Sequence, residues 1–479
     1  MSKLYVFAIG GSGARVLRSL TMLLASGVNA NNEIIPVIID PDNSNGDRIR
    51  TEELMRLYSV IRSGLSFNET IKSKFFSTEI SSINNNGFFT IPIEGTSGIA
   101  FENWLNLNTM PVENQAMVRM LFSNANLSSM MDVGFKGNPN IGSVVLNKLT
   151  HQHGDFNTFE TGFTKGDKIF IISSIFGGTG ASGFPLLLKY FRTSVNKALA
   201  QAPIGAVSLL PYFNLKVNPK SSIKADSFIS KTKAALNYYE KNVTGNNTLD
   251  DMYYLGDELS KSYDNCDGGD EQQNDAHIIE LLAALSVLDF DTKQVNIETK
   301  ARPTNFHEYG LASDQPKEII FSDLGDKTKR RLRLPLTQMT FMNAFLDYRS
   351  SDDRSQQRWE IDRNSILGES FFSGNFYGNY EIFKVAFCKW LKELGDNKIS
   401  FMPFKSSEDL KGDALELVHG IKPDYSFWRD KRKKGFELMD IKLGNNLGNV
   451  QQNLSAAQTF MDLFYITTLE LCNNNLKIR

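Results

Sequence analysis

Short, unbroken apolar runs alternate along the first three hundred residues with longer stretches whose apolar positions recur every three or four residues. Leu4-Tyr5-Val6-Phe7-Ala8-Ile9, Ile34-Ile35-Pro36-Val37-Ile38-Ile39, Lys168-Ile169-Phe170-Ile171-Ile172, Pro203 to Leu210 and Asp251-Met252-Tyr253-Tyr254-Leu255 read as buried strands. Between and after them, Ala14 to Ala25, Leu54 to Ile61, Ser143 to Leu149, the stretch beginning Leu186-Leu187-Leu188, Ser221 to Lys241 and Ala276 to Leu288 carry helical spacing, the last with Asn274-Asp275 as its predicted cap. Strands alternating with helices predict a doubly wound, mostly parallel α/β sheet, which binds ligands outside the carboxyl ends of its strands. Thr51 to Phe122 is weaker, with an Asn/Gly turn at Asn84 to Gly87 and a Trp104 segment, and reads as an insertion of mixed structure. Near the end, Ser455 to Leu471 is an apolar helix fit to dock.

A chain of 479 residues with 41% apolar content has ample material for two domains or one enlarged one. Its 52 lysines and arginines nearly balance 54 acids, so no global field would draw nucleic acid or an anionic membrane. Cys266, Cys388 and Cys472 are odd in number and far apart, which gives neither a disulfide framework nor a zinc spacing and fits a reducing cytoplasm. No apolar run approaches the length of a membrane span.

The candidate chemistry lies in glycines at strand ends. Phe176-Gly177-Gly178-Thr179-Gly180-Ala181-Ser182-Gly183 follows one apolar strand and opens a helix, so backbone N–H groups and the helix dipole can converge on an anion, with Thr179 and Ser182 offering hydroxyls. Gly10-Gly11-Ser12-Gly13 repeats the arrangement, and Asp132 to Gly142 is a further glycine-rich loop before a helix. Any one of these turns could be steric in origin. Asp40 and Asp42, in Asp40-Pro41-Asp42-Asn43 at a strand's carboxyl end, suit ribose hydroxyls or water on magnesium, or else an Asp-Pro turn. His151 and His153 fall in a predicted polar loop without further metal-ligand spacing.

In their order along the chain, these loops resemble the nucleotide loops of the tubulin/FtsZ GTPase superfamily. Phe176 to Ser182 resembles the superfamily's Gly-Gly-Gly-Thr-Gly-Ser/Thr-Gly signature, with Phe176 and Ser182 in place of glycines and Pro185 where FtsZ also has a proline. Lys136-Gly137-Asn138-Pro139-Asn140-Ile141-Gly142 is similar to the Ala-Gly-Ala-Asn-Pro-Glu-Ile-Gly loop that wraps the terminal phosphate in FtsZ. Gly10 to Gly13 resembles the first phosphate loop, Asp40 and Asp42 fall at the Asn-x-Asp loop, Pro211-Tyr212-Phe213 resembles the loop before the sixth helix, and Asn274 stands where an asparagine reads guanine. The likeness is to divergent bacterial tubulin-like proteins and covers roughly residues 1 to 290. It implies a nucleotide-binding domain over 1–273 with an insertion at about 51–130, a central helix over 274–292 and an α+β domain over 293–479.

The resemblance further implies GTP or GDP with Mg2+ as ligands, a cytoplasmic location, and head-to-tail self-association in which an acidic loop of the next subunit completes the hydrolytic site. Gly10, Gly11, Ser12, Gly13, Gly137, Asn138, Gly177, Gly178, Thr179, Gly180 and Ser182 would surround the phosphates. Val287-Leu288-Asp289-Phe290-Asp291-Thr292 only partly matches the acidic loop, leaving Asp289 and Asp291 as candidate acids and Asp323 and Asp326 in reserve. The weakened match also admits a nucleotide-binding scaffold with little hydrolysis, recruiting partners in a defence or envelope-associated system. A Rossmann oxidoreductase is the third reading, for which Gly10 to Gly13 is a poor dinucleotide fingerprint. The basic runs Lys327 to Arg333 and Arg429 to Lys434 read as solvated faces or contacts for an acidic protein partner of the C-terminal domain.

Overall fold

The computed structural model describes residues 2–68, 70–93, 95–131, 134–135, 137–152, 154–216, 228–244, 248–257, 262–263, 268–294, 303–307, 318–351, 359, 366–397, 399–406, 410, 413–425 and 435–478. Lys136, residues 221–227 of one predicted helix, His153, Cys266 and the basic run 429–434 lie outside them.

Among the described residues, seven parallel strands form the main sheet: β1 (Lys3–Ile9), β2 (Glu33–Ile39), β3 (Thr90–Ile91), β4 (Lys168–Ser174), β5 (Ile204–Leu209), β7 (Asp251–Leu255) and β9 (Asn305–His307), with β6 (Asn214–Leu215) pairing β8 (Ser262–Tyr263) apart from it. Their spatial order is β3-β2-β1-β4-β5-β7-β9. β1, β2, β4 and β5 are buried almost throughout, as parallel strands covered on both faces must be, which is why they read as continuous apolar runs. Pro36 is tolerated inside β2 because its nitrogen faces the β3 side, where the ladder pairs only Ile38 and Ile39 and no N–H is missed.

The helices of this first part are α1 (Gly10–Ala25), α2 (Gly46–Leu65), the short α3 (Phe101–Trp104), α4 (Val112–Leu121) and α5 (Asn124–Leu127), then α6 (Pro139–Gln152), α7 (Gly154–Gly162), α8 (Gly178–Arg192), α9 (Lys197–Ala200), α10 (Phe228–Tyr239) and α11 (Ile278–Thr292). α1 packs on α2 and α11, while α6 packs on α8. Right-handed crossovers running in opposite directions from β1 and β4 put α1 and α8 on opposite faces. The chain's direction across the sheet therefore reverses between β1 and β4, and a crevice opens outside their carboxyl ends. α11 is almost wholly buried, and Gly205 lets it press onto β5: a Cβ there would lie 2.7 Å from the Phe290 ring.

Three sequence expectations are corrected. The glycines do not break the strands before their helices; they form the first helical turns, α1 starting at Gly10 and α8 at Gly178. α11 is capped by His277 rather than by Asn274-Asp275, because the His277 ring accepts the Ile279 N–H while Glu280 accepts the His277 N–H. His151 belongs to the helix α6, not to a polar loop.

Beyond the sheet stand α12 (Asp326–Ser351), α13 (Glu369–Phe372), α14 (Asn375–Gly395), α15 (Phe436–Asn446) and α16 (Ala456–Asn474), with β10 (Glu318–Ile319) pairing β11 (Ser400–Phe401). α16, capped by Ser455 and Gln458, is docked between α12 and α15. The run Lys327 to Arg333 opens α12, and two of its cations reach α11: the exposed Lys327 pairs with Asp289, and Arg331 donates to the Leu288 carbonyl. Among the described residues, no helix is long and apolar enough to cross a membrane.

Candidate functional site

A pocket of about 160 Å3 opens at the β1/β4 switch point. Gly10, Gly11 and Ser12 form one wall from the first turn of α1, and Gly177, Gly178, Thr179 and Gly180 form the facing wall from the first turn of α8. Two helix N-termini thus point their free N–H groups at one space, an arrangement suited to anions. Gly10 has φ +72°, a left-handed turn that glycine adopts without strain and that lets β1 enter α1 abruptly. The third glycine loop closes on the second: a Cβ on Gly178 would lie 3.0 Å from the Asn138 nitrogen and 3.1 Å from that of Gly137. Gly137 also lines the pocket, and its carbonyl accepts a 2.7 Å hydrogen bond from Lys231 on α10, whose amine burial makes less basic.

Three predicted residues serve the frame instead. Gly13 lets α1 sit close on β1, since a Cβ would lie 2.8 Å from the Ala8 carbonyl carbon. The Ser182 hydroxyl donates back to the Gly178 carbonyl at 2.7 Å. Asn138 leads into α6, its carbonyl accepting the Gly142 N–H. None of the three is among the residues lining the pocket.

Asp40 and Asp42 line the pocket at the end of β2, and both are buried. Asp42 accepts the Ser44 N–H and hydroxyl with one oxygen and the Gly269 N–H with the other, while Asp40 accepts the Asp42 N–H. Burial, with the neighbouring Asp42 charge, pushes the Asp40 carboxyl up to about 7. Asn274 also lines the pocket; its backbone N–H and side-chain amide both face Asp47 of α2, and its carbonyl takes a hydrogen bond from Arg50.

Sequence reasoning missed Arg15, which lines the pocket and is 2% exposed. Its guanidinium donates to Glu280 at 2.6 Å, Asp47 at 3.1 Å and the Tyr212 hydroxyl at 2.6 Å, and that hydroxyl donates to Glu280 at 2.8 Å. The cluster ties α1, α2, the loop after β5 and α11 together at the pocket floor. Burial keeps the Tyr212 phenol protonated and raises the Asp47 carboxyl against the pull of Arg15. The available signal was a pair of arginines, Arg15 and Arg18, among the apolar positions of one helix. Asn45 and Gln272 were missed as well; they line the pocket and bond each other at 2.8 Å. Phe176, in the place of a signature glycine, packs on Phe213 and Phe228 and supports the loop from beneath.

Asp289 and Asp291 lie far from this pocket, at the carboxyl end of α11 and the amino-terminal edge of the sheet. Asp291 accepts N–H groups of Asn31 and Asn32, just before β2, and the Asn32 side-chain amide at 2.6 Å. Asp289 is held by Lys327 at 2.5 Å, by the Tyr253 hydroxyl at 2.7 Å and by Lys293 at 3.3 Å. Burial opposes its charge, but these hydrogen bonds and cations outweigh it and hold the carboxyl below the ordinary range. Both carboxylates are buried. Of the reserve pair, Asp323 accepts the Ile320 N–H and Asp326 pairs with Lys329 on the surface.

No protein-family model matches the sequence, and no curated protein matches it. Among solved structures, it is similar to CetZ from Methanosaeta thermophila strain DSM 6194 at 12% identity, over 62% of this chain and 57% of that one, with a TM-score of 0.32. CetZ2 from Haloferax volcanii, solved as a GTPγS-bound protofilament, gives 12% identity, 65% of each chain and a TM-score of 0.32. The TubZ of Bacillus thuringiensis serovar israelensis, a GTPγS-form protofilament, gives 12% identity, 82% of each chain and a TM-score of 0.28. The chain thus spans less than two thirds of the two CetZ chains. What the sheet itself shows is a doubly wound parallel α/β fold with a buried central helix and glycine loops at the carboxyl ends of its strands.

Proposed function

We propose that the chain binds GTP or GDP in the switch-point pocket and assembles head to tail with copies of itself, an acid of the neighbouring subunit completing the site for GTP hydrolysis. The observation that carries this reading is the convergence of three glycine loops, two of them at helix N-termini, on one crevice. Gly10, Gly11, Ser12, Gly137, Gly177, Gly178, Thr179 and Gly180 would cradle the phosphates through backbone N–H groups and hydroxyls, with Gly13, Asn138 and Ser182 shaping the loops. A volume of about 160 Å3 suits a phosphate chain better than a whole nucleotide, for which pockets of ~300 Å3 or more are usual, so the base would lie toward Asn274 and Gln272.

Mg2+ fits the donor set in a limited way. Asp40 and Asp42 are carboxylates beside an anion cradle, where a divalent cation would neutralise charge, yet no group of three metal-ligating side chains occurs among the described residues. The ion would take most of its ligands from phosphate and water, the usual habit of Mg2+. Asp40 and Asp42 would orient that water or a ribose hydroxyl.

The burial of Asp289 and Asp291 favours a second reading, a nucleotide-binding scaffold or switch with little hydrolysis that recruits partners through its C-terminal region. Phosphoryl transfer needs a positioned water and charge stabilisation, and an acid already satisfied inside its own subunit supplies neither. GTP turnover measured across a protein concentration series, with light scattering on the same samples, separates the two. Turnover and polymer appearing together above a critical concentration support the GTPase; tight GTP binding without either supports the scaffold. Failure to bind GTP or GDP at millimolar concentration would end both.

A further inference from the structure

Lys231, on α10, is a cation without a counter-charge. Its side chain is half-buried, burial lowers the basicity of its amine, and no neighbouring charge acts against that effect. Lys293, Lys384 and Lys442 are also partly buried, and each of them pairs with a carboxylate. Lys231 pairs with none among the described residues, where its hydrogen bond goes to the Gly137 carbonyl. An ammonium has three donors, so two remain for another acceptor.

The place of the amine gives that charge a use. Gly137 lines the switch-point pocket with φ +71°, and its missing side chain leaves the amine close behind it: a Cβ there would lie 3.3 Å from the Lys231 nitrogen. Phe228, three residues earlier on the same face of α10, lines the pocket as well. α10 itself rests on α8, with the Tyr239 ring on Phe184 and the Tyr239 hydroxyl on the Ala181 carbonyl. Lys231 thus stands on the α8 side of the pocket, whereas Asn274 and Gln272 stand on the α1–α2 side, against Asp47 and Asn45. A nucleotide whose base lies toward Asn274 would end its phosphate chain near Lys231.

From this uncompensated charge beside an anion cradle, we propose that Lys231 contacts the terminal phosphate of a bound nucleoside triphosphate and lets the pocket distinguish triphosphate from diphosphate. The inference rests on the reading of the pocket as a GTP site. The ammonium, on a flexible four-carbon stem, keeps its bond to the Gly137 carbonyl and turns a second donor to a phosphate oxygen.

The test is calorimetric titration of the full chain with GTP, GDP and the γ-methyl ester of GTP, which keeps the triphosphate but carries less negative charge at its end. Lys231→Met should weaken GTP by about tenfold or more and GDP by about twofold at most. The parent's preference for GTP over the ester should fall by roughly fivefold in the variant, the coupling expected of two charges in contact. Lys231→Gln, a second neutral variant, should repeat this in protein that melts as the parent does. Lys231→Arg, which keeps the charge, should bind GTP within about threefold of the parent. A lysine that only clamps the Gly137 loop would weaken GTP and the ester alike, and that result would overturn the phosphate contact. Equal losses for GTP and GDP would overturn the discrimination by chain length. A parent chain that binds neither GTP nor GDP at millimolar concentration would fail the nucleotide reading itself, and this inference with it.

Discussion

Asp40 shows how one buried side chain couples the pocket to pH. Its carboxyl is raised to about 7 by burial, whereas in the unfolded chain it titrates near ~3.9. Between those values the folded protein holds a proton that the unfolded chain has released, so Asp40's contribution to stability falls as pH rises from about 4 through 7. Asp40→Asn should therefore stabilise the ligand-free protein at pH 8 relative to the parent and lose that advantage by pH 4, as followed by melting temperature across pH. Anion affinity should follow the same proton: phosphate-chain binding without magnesium weakens through pH 7 in the parent and less so in Asp40→Asn. A melting difference that does not change with pH would remove Asp40 as the titrating group. The sequence placed Asp40 at a strand end beside a glycine loop but carried no sign of its burial, which depends on α2 folding back over the loop. Arg15 was illegible for a related reason: its partners Asp47, Tyr212 and Glu280 are 32, 197 and 265 residues away.

At the scale of elements, the strands and the glycine loops were the legible part, because a parallel sheet buried on both faces leaves runs of consecutive apolar residues and few residues other than glycine fit its ligand edge. Helix starts were less legible. A glycine loop and the first turn of a helix look alike in sequence, and the difference is decided by what packs against them. In α8, Pro185 cannot donate to the Ala181 carbonyl, and the Tyr239 hydroxyl of α10 does so instead at 3.3 Å, a substitution that appears only once α10 is in place. The same close packing makes Gly178 a sharp test of the site. A methyl group there would press on the backbone nitrogens of Gly137 and Asn138 and wedge the second and third loops apart. Gly178→Ala should weaken GTP binding by tenfold or more in calorimetric titration while the melting temperature moves by only a few degrees. Unchanged affinity would mean that the two loops do not hold the phosphates together.

Across the whole molecule, buried charge joins the pocket to the helices beyond the sheet, and none of those joins shows as a local motif. Glu393 of α14 pairs with Arg18 of α1 at 2.7 Å and Arg50 of α2 at 3.4 Å, and accepts the Ala276 N–H at 3.0 Å just before α11 begins. Arg50 in turn holds Asp47 and the Asn274 carbonyl, so one carboxylate braces the segment that carries the predicted base reader. Removing one partner of a buried pair leaves the other charge uncompensated, at a cost of ~3–5 kcal/mol, whereas replacing both by apolar groups costs far less. Glu393→Leu should lower stability to denaturant by about that amount and speed amide exchange over 268–277. Adding Arg18→Met should recover at least ~1 kcal/mol of the loss, the coupling expected of direct partners. The exchange at 268–277 should stay fast in the double variant, because the Ala276 N–H and Arg50 still lack their acceptor. Strictly additive losses would mean that Arg18 and Glu393 act separately, and slow exchange in both variants would leave Asn274 braced by Asp47 alone.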